Sequence, residues 1–227
     1  MPDGDLLFDV PFGVVRPDRD QLPSACKNWL TVSRWADVAN NDFGLTWVTL
    51  DAPLIEPGYL SATLLNSQTN PDVWRKHVGR TQRIYSWAMN NHWGTNYRAY
   101  QEGPTVFRYI LRPHRHKTNP ADNAGFSIAF SQPLLVVPSA GQDAARPMFS
   151  LSSPDVLVTG LKVSDDGKAI IIRLFEAAGK KQTVSITWGS CQPKSVHFSN
   201  TSEQPGSKAN QRLSIPAFGL TTLRADL

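Results

Sequence analysis

Short segments in which apolar and polar residues alternate run through most of this chain. In one of them, Phe107, Tyr109 and Leu111 fall on one face. Arg108 and Arg112 fall on the other face. A period of two is typical of a β-strand with one buried side, so we expect the apolar residues to face a core and the arginines to face solvent. Further strands are predicted at residues 29–38, 43–50, 156–163, 169–176, 183–188, 194–199 and 220–226.

Two connections carry the residues that tight turns prefer. Residues 40–42 read Asn-Asn-Asp and separate the predicted strands 29–38 and 43–50, which indicates a turn. Residues 164–168 read Ser-Asp-Asp-Gly-Lys, and Asp-Gly supplies the positive φ that a tight hairpin needs. Regular short strands with intervening turns and little helix predict a sandwich architecture.

Helix is predicted at few places. Asn119-Pro120 resembles an N-cap followed by proline at the first helical position, so residues 121–131 can form a helix. Apolar residues also alternate within that segment, which leaves a strand as the alternative. Residues 72–78 can form one helical turn before Gly79.

The length and the chain-breaking residues set the domain organisation. A chain of 227 residues suits one large all-β domain or two small domains. Hydrophobic residues make up 41% and charged residues 19%, so the chain can bury a core. Residues 138–142 read Pro-Ser-Ala-Gly-Gln, and Pro147 and Pro154 follow closely, which predicts a boundary in this region.

Charge and composition argue against several classes of protein. The net charge is +4, but the 23 lysines and arginines are dispersed, whereas nucleic-acid binding concentrates charge on one face. No run approaches the roughly 20 apolar residues that a membrane span needs, and the acidic first residues do not predict a signal peptide. Cys26 and Cys191 stand alone, which favours ordinary thiols in a reducing compartment. We therefore expect a cytoplasmic protein with no nucleic-acid or membrane partner.

The sequence carries no motif of a common catalytic or metal centre. It has no G-x-S-x-G elbow, phosphate-binding glycine loop, H-E-x-x-H motif or dinucleotide fingerprint. His114 and His116 point to opposite sides of an extended segment unless a turn intervenes, so solvated imidazoles are favoured over a metal site. No pair of carboxylates stands out as the acid and nucleophile of a glycosidase. Nothing in these residues points to a catalytic residue, a metal ligand or a cofactor in this chain.

One segment after a predicted strand combines amides, an imidazole, a hydroxyl and aromatic rings. Asparagine amides donate and accept hydrogen bonds at once, which matches paired sugar hydroxyls, and aromatic faces pack on the apolar side of a pyranose ring. Internal hydrogen bonds to the backbone would account for the same asparagines equally well. The candidate substrate-binding residues are Asn90, Asn91, His92, Trp93, Thr95, Asn96 and Tyr97.

Three tryptophans lie in the predicted strands of the N-terminal region. Trp29, Trp35 and Trp47 stand on alternating segments, where aromatic side chains fill the interior of a sandwich. We predict that they are core residues rather than parts of a site.

Distinctive stretches occur from one end of the chain to the other. They are FDVPFG at 8–13, RWADVANNDFG at 34–44, DAP at 51–53, YSWAMNNHWGTNY at 85–97, QEGPTVFRYILRPH at 101–114, RLFEAAG at 173–179 and IPAFGLTTL at 215–223. In this order they resemble the C-terminal β region of glycoside hydrolase family 38 α-mannosidases. The resemblance covers essentially the whole chain, and the ordered combination is much more specific than any one stretch.

The resemblance implies a fold and indicates which domain of the enzyme carries the catalytic groups. Family members are retaining, zinc-dependent exo-mannosidases with an N-terminal α/β barrel, a helical bundle and then β-sandwich domains. Their zinc ion and nucleophilic aspartate belong to the barrel, so no residue here takes over those roles. For this chain the resemblance implies a large, galactose mutarotase-like β-supersandwich at residues 1–145 and a small C-terminal β-sandwich at residues 146–227.

The implied function is that of a non-catalytic β region that supports the barrel and lines one side of the sugar cleft. Residues 90–97 would then bind or position the mannoside, and the partners would be an α-mannoside and the N-terminal catalytic domain of the same enzyme. The chain alone is expected to be inactive. Two alternatives stay open, namely a freestanding carbohydrate-binding module and a structural domain whose aromatic residues only fill cores.

Overall fold

Antiparallel strands make up most of the chain. The computed structural model describes residues 4–61, 74–89, 96, 98–138, 141 and 146–227. Strands account for 42% and helices for 8% of the residues, in antiparallel sheets, so the predicted all-β sandwich class is confirmed. Among the described residues, no helix is long and apolar enough to cross a membrane.

The chain divides into two compact units. The first unit comprises residues 1–118 and 126–133, and the second comprises residues 119–125 and 134–227. The domains expected at residues 1–145 and 146–227 stay a prediction.

The first unit contains two antiparallel sheets in its described part. Its elements are β1 (Asp5–Val10), β2 (Gly13–Val15), α1 (Pro17–Asp20), β3 (Leu30–Thr31), β4 (Trp35–Ala39), β5 (Phe43–Thr49), β6 (Leu54–Pro57), β7 (Ile84–Ser86), β8 (Tyr109–Arg115) and the second half of α2 (Pro120–Ser131). One sheet has the strand order β2-β1-β4-β5-β8, and the other has the order β3-β6-β7. The predicted strand 29–38 is therefore interrupted between β3 and β4.

Strand β4 is buried along its whole length because both faces of its sheet are covered. On one face, residues of β1, β4 and β5 form a core with the three-stranded sheet; its members include Leu6, Phe8, Ala36, Val38, Trp47 and Ile55. On the other face, Leu7, Trp35 and Val48 pack against Phe126 of α2.

The three tryptophans that were predicted to be core residues are buried to different extents. Trp35 is 1% and Trp47 is 9% exposed, so both are core residues as predicted. Trp29 is half-buried. The edge of its ring system contacts Trp87, with 5.7 Å between ring centroids.

The turn between β4 and β5 forms where the sequence predicts it. The side-chain oxygen of Asn40 accepts hydrogen bonds from the backbone N–H groups of Asp42 and Phe43, both at 2.9 Å. An asparagine side chain that bonds its own backbone two residues ahead stabilises such a turn. This local bond sets the register that pairs Asp37 with Thr46.

The prediction of which face of strand β8 is buried is wrong. Tyr109 and Leu111 are exposed, while Ile110 and Arg112 are half-buried. The reason is that the face bearing Arg112 is covered by α2, where the arginine guanidinium lies 4.2 Å from the centroid of the Phe126 ring. A guanidinium on an aromatic face is a favourable cation–π contact, so an arginine can occupy a covered face.

Residues 121–131, for which helix and strand were both possible from the sequence, lie in the helix α2. Asn119 caps it, since its side-chain oxygen accepts the backbone N–H of Ala121 at 3.1 Å and that of Asp122 at 3.4 Å. The capping side chain satisfies donors that have no partner within a helix, which favours helix over strand. The helical turn predicted at 72–78 is not found in residues 74–78, and residues 72–73 lie outside the described residues.

The second unit is a β-sandwich in its described part. Its strands are β9 (Phe149–Leu151), β10 (Val156–Val163), β11 (Ala169–Glu176), β12 (Gln182–Trp188), β13 (Ser195–Ser199), β14 (Pro205–Lys208), β15 (Arg212–Ile215) and β16 (Leu220–Asp226). A sheet with the order β10-β11-β16-β13-β14 faces a sheet with the order β15-β12-β9. The core between them includes Ile170, Ile172, Leu174, Val184, Leu213, Ile215 and Leu223.

The hairpin predicted at residues 164–168 joins β10 and β11. Gly167 has a φ of 72°, the left-handed conformation that favours glycine. The hydroxyl of Ser164 donates to Asp166 at 2.6 Å and accepts the backbone N–H of Ala169 at 2.9 Å, so the turn is closed by its own side chains. The predicted strands that follow it are confirmed as β11, β12, β13 and β16.

A buried carboxylate joins two turns at one end of this sandwich. Glu176 is fully buried, and one of its oxygens accepts backbone N–H groups of Gly179 and Lys180 in the turn after β11. The same oxygen accepts the N–H of Phe218 at 3.0 Å, in the turn between β15 and β16. Its other oxygen accepts the N–H of Ala178 at 2.9 Å. These four bonds replace the hydration of the charge, and they connect the two stretches 173–179 and 215–223.

We expect Glu176→Gln to lower the free energy of unfolding by roughly 2–4 kcal/mol. The amide has one acceptor oxygen, so its NH₂ group would face a backbone donor that the second carboxylate oxygen now satisfies. Chemical denaturation measures this loss. Asp165→Asn is the matched control, because Asp165 is 84% exposed and its removal should cost under about 1 kcal/mol. Equal stability of the two variants would contradict the structural role of Glu176.

Candidate functional site

Most of the predicted sugar-binding segment lies outside the described residues. This holds for Asn90, Asn91, His92, Trp93, Thr95 and Tyr97. Asn96 is described and is exposed to solvent. The proposed role of the segment therefore stays a prediction.

The chain before this segment is anchored at the end of the three-stranded sheet. The backbone N–H of Trp87 donates to the carbonyl of Leu54 at 2.9 Å, one residue beyond β7. Trp87 also packs edge-on against Trp29. After the segment, the guanidinium of Arg98 lies 5.8 Å from the centroid of the Tyr100 ring. The chain is thus anchored at Trp87 in the first unit.

A buried polar cluster, absent from the sequence-based prediction, surrounds Asp37 in the middle of the five-stranded sheet. Thr46 donates its hydroxyl to Asp37 Oδ2 at 2.8 Å, and Nε2 of His114 lies 2.8 Å from the same oxygen. The hydroxyl of Thr118 donates to Oδ1. Asp37 is fully buried, so these donors take the place of water around the carboxylate.

Local geometry explains why the imidazole reaches this carboxylate. Gly44 lies directly opposite His114 in the register of β5 and β8. A Cβ at position 44 would collide with the imidazole ring, so the glycine leaves the space that the ring occupies. The expectation that His114 is a solvated imidazole is wrong, because its side chain is only 17% exposed and is bonded to Asp37.

A second buried carboxylate accepts hydrogen bonds from the backbone at the start of strand β4. Asp9 of β1 accepts the backbone N–H groups of Arg34 and Trp35, both at 2.8 Å, on one oxygen. Burial raises the pKa of Asp9 to about 6, and the two backbone N–H groups partly oppose that rise. The charged form is thus costly to bury even with its hydrogen bonds in place.

A polar cleft of about 680 Å³ opens beside this sheet in the first unit. Buried apolar residues form its floor, including Leu6, Ala39 and Val78. Its rim is polar and comes from separate parts of the sequence: Asp5, Arg16, Asp18, Asn41, Asp42, Arg80, Lys117 and Thr118. A concave site with an apolar floor and a few polar groups can hold a small polar molecule such as a saccharide.

The hydrogen bonds of the rim show which groups are already engaged. Arg16 pairs with Asp5 at 2.9 Å. The carboxylate of Asp18 accepts the backbone N–H groups of Val78 and Gly79 at 2.8 and 2.7 Å. Thr118 belongs both to the cleft rim and to the Asp37 cluster, so the cleft adjoins the buried polar core of the sheet.

Part of the chain matches a known protein family. Residues 155–223 match the model of the glycosyl hydrolases family 38 C-terminal beta sandwich domain. The resemblance to family 38 is confirmed. The match covers most of the sandwich in the second unit, including both turns that Glu176 joins.

Two solved structures share the fold of the whole chain. One is an α-mannosidase from Enterococcus faecalis V583, with a TM-score of 0.66 and 14% sequence identity. The other is a family 38 glycosyl hydrolase protein from Enterococcus faecalis, with a TM-score of 0.61 and 12% identity. Each similarity covers 100% of this chain but only 24% and 25% of the other chains, so this chain spans about a quarter of their length. Among curated protein sequences, none matches this chain.

We expect His114→Ala to lower the free energy of unfolding by about 1–3 kcal/mol, because it leaves a buried carboxylate without one of its donors. Thermal and chemical denaturation measure the change. His116→Asn is the matched control, since His116 is exposed and asparagine tolerates its φ of 68°. A loss that is no larger in His114→Ala than in the control would contradict the role of the Asp37 cluster.

Asp9 should make the protein less stable as the pH rises from about 4 to about 6. Its pKa is raised from 3.8 in the unfolded chain to about 6 in the folded one, so the folded state holds the proton more tightly in this window. Stability from this group is full below the unfolded pKa and is lost as the pH rises through the folded pKa. The expected difference is about 3 kcal/mol.

The measurement compares the wild type with Asp9→Asn, which cannot titrate, by denaturation from pH 4 to pH 7. The stability of the wild type relative to this variant should fall as the pH rises. A relative stability that is constant or increases over this range would contradict the raised pKa.

Proposed function

We propose that this chain is the C-terminal, non-catalytic β region of a retaining, zinc-dependent α-mannosidase that hydrolyses terminal α-mannosides. In this proposal it supports the catalytic barrel and lines one side of the sugar cleft. The observation that carries the proposal is the family 38 match at residues 155–223. The fold similarity over the whole chain to a protein described as an α-mannosidase adds support.

The chemical step is assigned to the N-terminal catalytic domain of the same enzyme. Retaining glycosidases need two carboxyl groups about 5 Å apart, and a zinc ion would bind and orient the hydroxyls of the sugar. In the part of the chain that the structure describes, no three His, Cys, Asp or Glu side chains converge, so these residues do not fit a zinc site. Asp37 and His114 meet, but threonine hydroxyls complete their cluster.

A role in supporting the catalytic domain agrees with a group of exposed apolar side chains on β5 and β8 of the five-stranded sheet. Phe43 and Leu45 of β5 and Leu111 of β8 are 59%, 37% and 60% exposed and lie on the same face. This face continues from the first-unit core that contains Trp47. An exposed apolar patch that extends a core is typical of a surface that packs against another domain.

A freestanding carbohydrate-binding module is the second candidate function. The polar cleft of the first unit favours it, because an apolar floor with amide, carboxylate and cationic groups on its rim suits a saccharide. The two functions differ in what the isolated chain can do. A module binds sugars by itself, whereas a wall of a larger cleft needs the catalytic domain.

In the enzyme that contains the catalytic domain, we expect Asn91→Ala with Asn96→Ala to raise KM for 4-nitrophenyl α-mannoside by up to about tenfold. The reason is that two amides which bind sugar hydroxyls in the ground state and the transition state are lost, so kcat should change little. Steady-state kinetics separate the two constants.

The matched control is Asn210→Ala, which removes an exposed asparagine of the second unit. Unchanged kinetic constants in the double variant would contradict the assigned role of residues 90–97. Hydrolysis of the same mannoside by the purified 227-residue chain would contradict the assignment of bond cleavage to another domain. Mannose binding by that chain in calorimetry, together with unchanged kinetics, would favour the binding module.

A further inference from the structure

Two cations on the rim of the polar cleft have no partner. Within the described residues, Arg80 and Lys117 are exposed and form no ion pair or hydrogen bond, although both line the cleft. Asp5 is paired with Arg16, and Asp18 is occupied by backbone N–H groups. Arg19, which also lines the cleft, pairs with Asp20 at 2.7 Å. The charged side chains that line the cleft are four cations and three carboxylates, so their formal charge is +1: Arg16, Arg19, Arg80, Lys117, Asp5, Asp18 and Asp42.

The loop that carries Arg80 is fixed by its own neighbours. Arg75 donates to the backbone carbonyls of Pro57, His77 and Val78, and its guanidinium lies 4.2 Å from the centroid of the Tyr59 ring. The carboxylate of Asp18 holds the next two backbone N–H groups of the loop. The position from which Arg80 extends is therefore set before any ligand binds, which reduces the entropic cost of binding.

The segment that carries Lys117 is fixed on both sides. The backbone N–H of His116 donates to the carbonyl of Asp42 at 2.9 Å, and the hydroxyl of Thr118 donates to Asp37. Lys117 thus extends from a short backbone stretch between two anchored residues. The same bond places the amide of Asn41 and the carboxylate of Asp42 on this side of the cleft.

These two cations come from separate basic stretches of the sequence. Residues 75–83 contain four lysines and arginines and no acidic residue, and residues 108–117 contain another four with no acidic residue. The fold brings one cation from each stretch to the same cleft. Two cations on fixed backbone beside an apolar floor are suited to a ligand that carries one negative charge on a compact polar body.

We propose that the polar cleft binds an acidic saccharide. Its carboxylate lies between Arg80 and Lys117, its hydroxyls bond to Asn41 and Asp42, and its ring rests on the apolar floor at Ala39 and Val78. This inference goes beyond the proposed function, because it concerns binding by the first unit and holds whether or not the chain is part of a mannosidase.

The test is a titration of the ¹⁵N-labelled 227-residue chain, followed by amide chemical shifts, with D-glucuronate, D-glucose and sodium phosphate. Glucuronate should shift the amides of Asn41, Gly79 and Lys117. D-glucose lacks only the carboxylate and should bind at least about tenfold more weakly, since a charge-assisted contact is lost. Inorganic phosphate lacks the ring and should also bind more weakly than glucuronate.

The variant Arg80→Gln with Lys117→Gln should lose glucuronate affinity by about tenfold or more. Its matched control is Lys168→Gln with Arg212→Gln, which removes two exposed cations of the second unit and should keep the affinity. Since all four positions are exposed, the variants should fold, and thermal unfolding checks this. In the wild type, raising the salt from 20 to 200 mM should weaken glucuronate binding several-fold.

The proposal is overturned if glucose binds as tightly as glucuronate, or if no saccharide shifts the cleft amides. It is also overturned if the cleft variant keeps the wild-type affinity, or if salt has no effect on the wild type. Binding of phosphate as tight as that of glucuronate would show a bare anion site and would overturn the assignment to a saccharide. None of these outcomes depends on mannosidase activity, so they do not decide the proposed function.

Discussion

Donation of hydrogen bonds to buried carboxylates holds this β fold together at two turns, at the start of β4 and in the middle of the five-stranded sheet. A charge buried away from water must be solvated by the protein itself, or it destabilises the fold by several kcal/mol. Glu176 meets this need with four backbone N–H groups from two turns. Asp9 meets it only in part, with two N–H groups at the entrance to β4, which is why its pKa is raised. Asp37 uses side-chain donors instead. In each case the carboxylate fixes segments that are distant in sequence, which the packing of apolar side chains alone would hold less specifically.

Local signals in the sequence predicted the parts of the fold that depend on local chemistry. The hairpin at residues 164–168 follows from Asp-Gly, and the helix start at Asn119 follows from the capping preference of asparagine. The faces of β8 were predicted wrongly because alternation shows that a strand has two faces but not which of them another element covers. The side that carries Arg112 is covered by α2, whose position is a property of the tertiary structure.

The candidate sites show the same division between local and long-range information. Residues 90–97 are conspicuous in the sequence because amides and aromatic rings stand side by side. Asp37 and His114 are 77 positions apart, and neither neighbourhood contains a motif, so only the pairing of β4, β5 and β8 brings them together. The polar cleft likewise collects groups from five separate segments. Such sites depend on strand order, which no spacing along the chain reveals.

The space that Gly44 leaves for the imidazole has an evolutionary consequence. Any larger residue at this position would displace the ring, and loss of the ring would leave Asp37 short of a donor. A lineage that replaces the glycine must therefore also replace the histidine and neutralise the acid, through intermediates that are each less stable than either end point. We therefore expect positions 37, 44 and 114 to change together when the sequence diverges.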